Sequence, residues 1–358
     1  METHCYRFDD MFICLESPSD ALIGLIADYT CLVPTRRTQS GPRVIVALKE
    51  HADPSALGAF VPQHRCADAQ TNVYLQGERQ FRRYLDGEEN IWHTYQDYGA
   101  VHMDLKNSRV DSLYCGQIGK DDLLPFIVFF ISPLTTSLRR FGYQYIHAAA
   151  CRVLDANILF TGLSGRGKST ASFALAIKGH SVLTDESVLL RRKDGQVYAS
   201  ALMNWIKVSR EVMQRFWPAC GKGSAIYNNE VAVKAREFDM APLTKLEKID
   251  FVCILRQTGR EETTIQPADA LDVAPDLLPA SVNAIDRETL RRSFVFLTDL
   301  LKEAECRSVS FGTDMDRFVL EVEQLASRKG ELQHETDLCN AGKSDMETSH
   351  AARDPQIR

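Results

Sequence analysis

The segment Ile158-Leu-Phe-Thr-Gly-Leu-Ser-Gly-Arg-Gly-Lys-Ser-Thr170 constrains this chain more than any other stretch of it. A short apolar run, Ile158 to Phe160, leads into Gly-x-x-x-x-Gly-Lys-Ser, and Ser169 to Lys178 then carries apolar residues at helical spacing. Strand, glycine-rich turn and helix N-terminus in that order make a cradle for phosphate. Gly162, Gly165 and Gly167 allow the backbone to turn tightly and aim its N–H groups inward. With Leu163, Ser164, Arg166 and Thr170 they form the expected nucleotide-binding loop. The positive end of the helix dipole points the same way. Lys168 is expected to reach the outer phosphates, and the Ser169 hydroxyl to ligate Mg2+. The spacing arises by accident in roughly one chain of this size in a hundred, so the first expectation is a bound nucleoside triphosphate.

At 358 residues the chain exceeds the usual size of one domain. The pattern divides it into an α+β region over residues 1–120, a nucleotide-binding region over 121–326 and a disordered polar tail over 327–358. The net charge of −6 gives no pull toward nucleic acid or an anionic membrane. Ten cysteines are scattered without a C-x-x-C pair, and no signal-peptide pattern is visible, so free thiols and a cytoplasmic location are expected. The His334-x-x-x-x-Cys339 pair is too sparse for a metal site. Leu123 to Leu134 is apolar but too short to span a bilayer; it reads as the start of a buried helix to Leu138, broken near Pro133.

In the first region Val44 to Leu48 is an apolar run, and Thr71 to Leu75, Ile91 to Tyr95 and Gly99 to Leu105 read as strands. Further strands are expected over Tyr143 to Ala150, Ser181 to Thr184, Leu243 to Leu255, Thr263 to Ile265 and Ser308 to Phe311. Lys193-Asp-Gly195 signals a hairpin between Ser187–Arg192 and Gln196–Ser200. Gly179 caps the helix that follows the glycine-rich loop. Arg287 to Leu301 and Asp314 to Ala326 read as helices.

A phosphate cradle does not say what happens to the phosphate. Asp185 and Glu186 close the strand after the loop helix, with Asp185 17 residues beyond Lys168. In a doubly wound sheet the carboxyl ends of neighbouring parallel strands converge on the ligand, which would bring both acids to the terminal phosphate. One would share Mg2+ with Ser169 and the other accept a proton from an attacking hydroxyl. His147, 15 residues before Gly162, joins them if its strand abuts the loop strand. Lys234 and Arg236 read as a solvated strand face, Trp205 and Trp217 as packing residues, and Arg139 and Arg140 as a helix C-terminal cap.

Together Ile146-His147, Leu159 to Ser169 and Lys178-Gly-His-Ser-Val-Leu-Thr-Asp-Glu186 resemble the catalytic domain of the HPr kinase/phosphorylase family. That family shows a His, then T-G-x-S-G-x-G-K-S, then R-G-H-x-L-x-x-D-D. The matching covers about residues 143 to 192. The resemblance implies an α/β kinase domain of the HPr kinase C-terminal type, related to phosphoenolpyruvate carboxykinase, preceded by an α+β N-terminal domain. It implies ATP- and Mg2+-dependent phosphorylation of a serine or other hydroxyl. Carried across, Lys168 and the loop hold the phosphates, Ser169 and Glu186 hold Mg2+, Asp185 is the base, and His147 stands beside it. Glu186 replaces the family's second Asp, Thr170 a Glu, and Arg166 an apolar residue, and the family's R-G-L-G-I-I-N-V segment has no counterpart. These departures point away from HPr as acceptor and toward another peptide or small protein, including a precursor peptide of the lasso type that similar divergent kinases modify. A nucleotide-gated binding protein, a small-molecule kinase, reverse phosphorylase activity and a homo-oligomer all stay open.

Overall fold

The computed structural model describes residues 3–35, 41–50, 53–60, 70–75, 79–87, 89–218, 226–227, 230–238, 243, 245–281 and 287–329. It is a mixed α/β arrangement with four sheets among those residues. The N-terminal strands are β1 (Thr3–Phe8), β2 (Met11–Glu16), β3 (Val33–Thr35), β4 (Arg43–Lys49), β5 (Gln70–Leu75), β6 (Arg79–Asp86), β7 (Asn90–Thr94), β8 (Gly99–Asp104) and β9 (Arg109–Tyr114). They form one sheet in the order β3-β1-β2-β4-β9-β8-β7-β6-β5. Alternation along β4 turns Val44, Val46 and Leu48 inward, the period of a half-buried strand. The helix Asp20–Tyr29 starts at Ser19, whose hydroxyl accepts the Leu22 N–H, and buries Leu22, Leu25, Ile26 and Tyr29 in the same core.

The buried helix expected from Leu123 is present but unbroken. It runs through Leu124–Phe126, Ile127–Ile131 and Ser132–Leu138, and the middle five residues form a π turn. Pro133 has no N–H and its ring crowds the carbonyl one turn back. The wider turn just before it absorbs the ring, and the Ser132 N–H bonds the Ile127 carbonyl instead. The carbonyl of Phe129, four residues before Pro133, takes the Ser112 hydroxyl at 2.7 Å from β9. Phe126, Phe129 and Phe130 are fully buried in the core of the N-terminal sheet.

The remaining strands are β10 (Gln144–Ile146), β11 (Ala149–Val153), β12 (Ala156–Thr161), β13 (Ser181–Thr184), β14 (Val188–Lys193), β15 (Gln196–Ser200), β16 (Trp205–Ser209), β17 (Ile226–Tyr227), β18 (Glu230–Lys234), β19 (Lys245–Glu247), β20 (Phe251–Gln257), β21 (Thr264–Pro267) and β22 (Glu305–Phe311). They form sheets in the orders β13-β11-β12-β20-β22-β21, β10-β14-β15-β19 and β16-β18-β17. The single strand expected over Tyr143 to Ala150 is two strands in two sheets, with His147 and Ala148 as the link. Leu243 to Leu255 is likewise divided, where Lys248 takes a left-handed φ of 61°. The Asp194-Gly195 turn joins β14 to β15 as expected, with φ of 52° and 79°.

The last helix spans 315–329, so it continues past the expected start of the polar tail at 327. The rest of that tail, with His334 and Cys339, lies outside the described residues. No described helix is long and apolar enough to cross a membrane.

Candidate active site

The sheet around the glycine-rich loop is not doubly wound in the way the sequence led us to expect. β12 and β13 run in the same direction, but β11 lies between them, antiparallel to both. Thus the carboxyl ends of β12 and β13 and the start of β11 share one edge. The register makes this concrete: Ala149 faces Phe160, and Ala150 faces Thr184. Thr161 leads into the loop, Asp185 follows β13, and His147 lies just ahead of β11. Three signals far apart in the chain therefore meet at one sheet edge.

Gly167 precedes the helix Lys168–Ile177 with φ of 94° and no side-chain cap. A Cβ there would sit 2.6 Å from the Phe311 ring, so glycine is required on two counts. The first-turn N–H groups are not claimed by a side chain, the usual state of an anion-binding helix end. Leu163, Ser164, Gly165 and Arg166 are exposed, while Ser169 and Thr170 are half-buried at the helix start. Lys168 is buried, and its Nζ donates to the carbonyls of Gly162 at 2.8 Å and Leu163 at 3.3 Å. Burial lowers its pKa, against the opposing pull of Asp185 and Glu186. A cavity of about 610 Å³ lies against the loop, lined by Leu163 to Arg166 and Gln257 to Gly259.

Asp185 is 1% exposed. Its Oδ2 accepts the Lys207 backbone N–H at 3.0 Å, and its Oδ1 has no hydrogen-bond partner. Burial, then the neighbouring Glu186 charge, pushes its pKa up to about 7; the nearby Ser169 hydroxyl and Lys207 pull the other way. Glu186 is half-buried and pairs with Lys207 Nζ at 3.2 Å, which also reaches Glu230 at 3.3 Å. Both acids lie beyond the end of β13, so strand alternation does not separate them. His147 Nδ1 bonds the Glu186 carbonyl at 3.1 Å. A carbonyl only accepts, so Nδ1 carries the proton, and Nε2 keeps its lone pair in the neutral ring. Burial, then the Lys168 charge, lowers the His147 pKa and favours that neutral form.

Ser169, Glu186 and the unsatisfied Asp185 Oδ1 are hard oxygen donors, the kind Mg2+ takes. Mg2+ needs only one or two carboxylates when phosphates supply the rest. No group of three or more His, Cys, Asp or Glu able to hold a metal occurs among the described residues. A larger cavity of about 890 Å³ lies on the N-terminal sheet. Its acidic groups are already engaged: Glu50 with Ser19 and the Ile118 N–H, and Asp111 with Arg109.

Sequence reasoning missed Lys207, which touches both acids from a separate sheet. Its one visible signal is a lysine flanked by apolar residues in the strand WIKVS. Lys234 is not on a solvated face: it is 5% exposed, 3.4 Å from Asp28 and 4.4 Å from the centre of the Tyr29 ring. Arg236 is exposed and reaches the same Asp28 at 3.5 Å. Trp205 packs edge-on against Tyr29, and Trp217 stacks on Phe238, as packing residues should. Arg139 and Arg140 occupy the short turn that ends the π-containing helix.

No family model matches the chain. Over 62 residues it is 37% identical to an HPr kinase/phosphorylase of Chlorobium luteolum, a match covering 17% of this chain and 19% of that protein. Over 119 residues it is 28% identical to an HPr kinase/phosphorylase of Chlorobium limicola, covering 33% of this chain and 32% of the other. This chain is related to the HPr kinase/phosphorylases. The relationship spans no more than about a third of the length of these relatives. The Hpr(Ser) kinase/phosphatase structure from Coxiella burnetii aligns at 13% identity over 55% of this chain and 97% of its own, with a TM-score of 0.30, too low to carry weight.

Proposed function

We propose that this protein is an ATP- and Mg2+-dependent kinase that phosphorylates a serine or other hydroxyl of a peptide or small protein. The observation that carries the reading is the meeting, at one sheet edge, of an uncapped helix N-terminus with Lys168 and a fully buried aspartate that keeps one oxygen unsatisfied. A buried carboxylate oxygen left without a hydrogen bond is costly unless something uses it. The relatives' name supplies the reaction class, and the loop supplies the phosphate cradle.

In this reading the first-turn N–H groups, the loop from Gly162 to Thr170, and Lys168 hold the nucleotide phosphates. Ser169 and Glu186 would hold Mg2+, which when bound offsets the phosphates' negative charge. Asp185 orients the acceptor hydroxyl and takes its proton as the oxygen attacks the terminal phosphorus. The bond from that phosphorus to the ADP oxygen breaks in line. His147 fixes the Asp185-Glu186 turn through the Glu186 carbonyl. The fold proposed for residues 121–326 is the HPr kinase C-terminal type, with 1–120 as the accessory or acceptor-recognition part. A ribosomally made precursor peptide is the acceptor class proposed. We place the protein in the cytoplasm.

The test is transfer from γ-labelled ATP to serine-containing peptides encoded beside the gene. Labelled peptide with wild type, lost in Asp185→Asn, supports the proposal. Slow hydrolysis with no transfer to any peptide refutes it.

A further inference from the structure

The turn Asp9-Asp10 joins β1 to β2, with Phe8 opposite Met11. In a two-residue hairpin the pair closing the turn is hydrogen-bonded, and bonded and non-bonded pairs alternate outward from it. The pairs then run Arg7 with Phe12, Tyr6 with Ile13, and Cys5 with Cys14. Cys5 and Cys14 therefore face each other at a non-hydrogen-bonded position. Such pairs hold their Cα atoms about 4.5 Å apart, at the short end of the range a disulfide spans. Their Sγ atoms are 2.7 Å apart, with neither thiol engaged by another group in this contact. Cys5 is half-buried and Cys14 buried, so one thiol of the pair is open to a soluble oxidant while the other is shielded.

We propose that Cys5 and Cys14 are an oxidation site, a dithiol that closes to a reversible cross-strand disulfide. With a small-molecule disulfide such as oxidised glutathione, the Cys5 thiolate attacks one glutathione sulfur. The glutathione S–S bond breaks, and the expelled thiolate takes a proton. The Cys14 sulfur then attacks Cys5 in the mixed disulfide, its own proton passing to the second departing glutathione. One S–S bond is consumed and one made; the chain loses two hydrogens, and two glutathione thiols appear. Burial, then the neighbouring Cys5 thiol, pushes the Cys14 thiol up to about 12, which keeps it protonated until Cys5 has reacted. The hairpin that closes carries Asp9, which accepts from Tyr143 and Ser200 at 2.9 Å each, and Asp10, paired with Arg191. Oxidation would stiffen the arm by which the N-terminal sheet grips the strands next to the candidate active site.

The full chain is equilibrated with glutathione redox mixtures, quenched by alkylation, and analysed by intact-mass and peptide mass spectrometry. The expected result is the loss of two alkylatable thiols and two hydrogens. One peptide linked through Cys5 and Cys14 should appear and be reversed by excess reduced glutathione. Cys5→Ser and Cys14→Ser should each abolish the link, and the half-buried position of Cys5 lets its near-isosteric serine variant keep a native circular dichroism spectrum. Full alkylation of both thiols in excess oxidant, a stable glutathione adduct at Cys5, or a link to another cysteine would each overturn the proposal.

Discussion

At the residue scale the informative side chain is Asp185. An acid whose pKa stands at about 7 in the folded chain and near 4 when unfolded holds its proton longer in the folded state. The stability this lends is complete below the unfolded pKa and is lost as pH rises through about 7. Asp185→Asn should therefore stabilise the protein at pH 8 by up to about 4 kcal/mol, with a gain that shrinks toward pH 4, seen in denaturant unfolding across pH. The same substitution should cut phosphoryl transfer roughly 10²- to 10⁴-fold, the usual contribution of a general base. Lys207 supplies a second test. Its charge lowers the Asp185 pKa, so in Lys207→Met the acidic limb of kcat/KM against pH should move upward, while Lys207→Arg should leave the limb in place. A limb that is unmoved in the methionine variant would remove Lys207 from the acid's environment. No spacing rule could have found this lysine: it comes 21 residues after Glu186, and only the crossing of a separate sheet brings the two together.

At the element scale, legibility followed the reach of the physics. Local signals were readable: Gly162, Gly165 and Gly167 mark the loop, Asp194-Gly195 the hairpin, Gly179 the helix end. Sheet order was not, because the insertion of β11 between β12 and β13 depends on pairings that no residue announces alone. Thus the grouping of His147, Lys168 and Asp185 was legible, while the assumed adjacency of their parallel strands was not. Pro133 shows the same limit. Its missing N–H was legible, but its effect depended on Ser112, from a distant strand, reaching the carbonyl that Pro133 leaves without its helical donor. Ser112→Ala should orphan that buried carbonyl and cost about 1–3 kcal/mol, read as a lower midpoint in urea with an unchanged m value. A loss below about 0.3 kcal/mol would mean the helix closes the gap by itself.

At the scale of the whole molecule, the N-terminal sheet and the β10-β14-β15-β19 sheet are joined by specific polar contacts as well as packing. Asp9 is the central one, receiving hydrogen bonds from Tyr143 and Ser200. Asp9→Ala and Tyr143→Phe should each lower stability by about 1–2 kcal/mol, and together by less than the sum, since both remove the same bond. Additive losses in that cycle would mean the contact contributes nothing.

His147 sits in the two-residue link between β10, which follows Tyr143, and β11, which borders the glycine-rich loop strand. Its backbone is clamped from both sides by different sheets, so it has no slack of its own. A change in how the hairpin turn seats on Tyr143 would be felt at the imidazole as a change of aim. Distant substitutions in that turn would then alter turnover more than nucleotide affinity, because the proposed phosphate-holding loop hangs from β12, one strand further from the turn than β11.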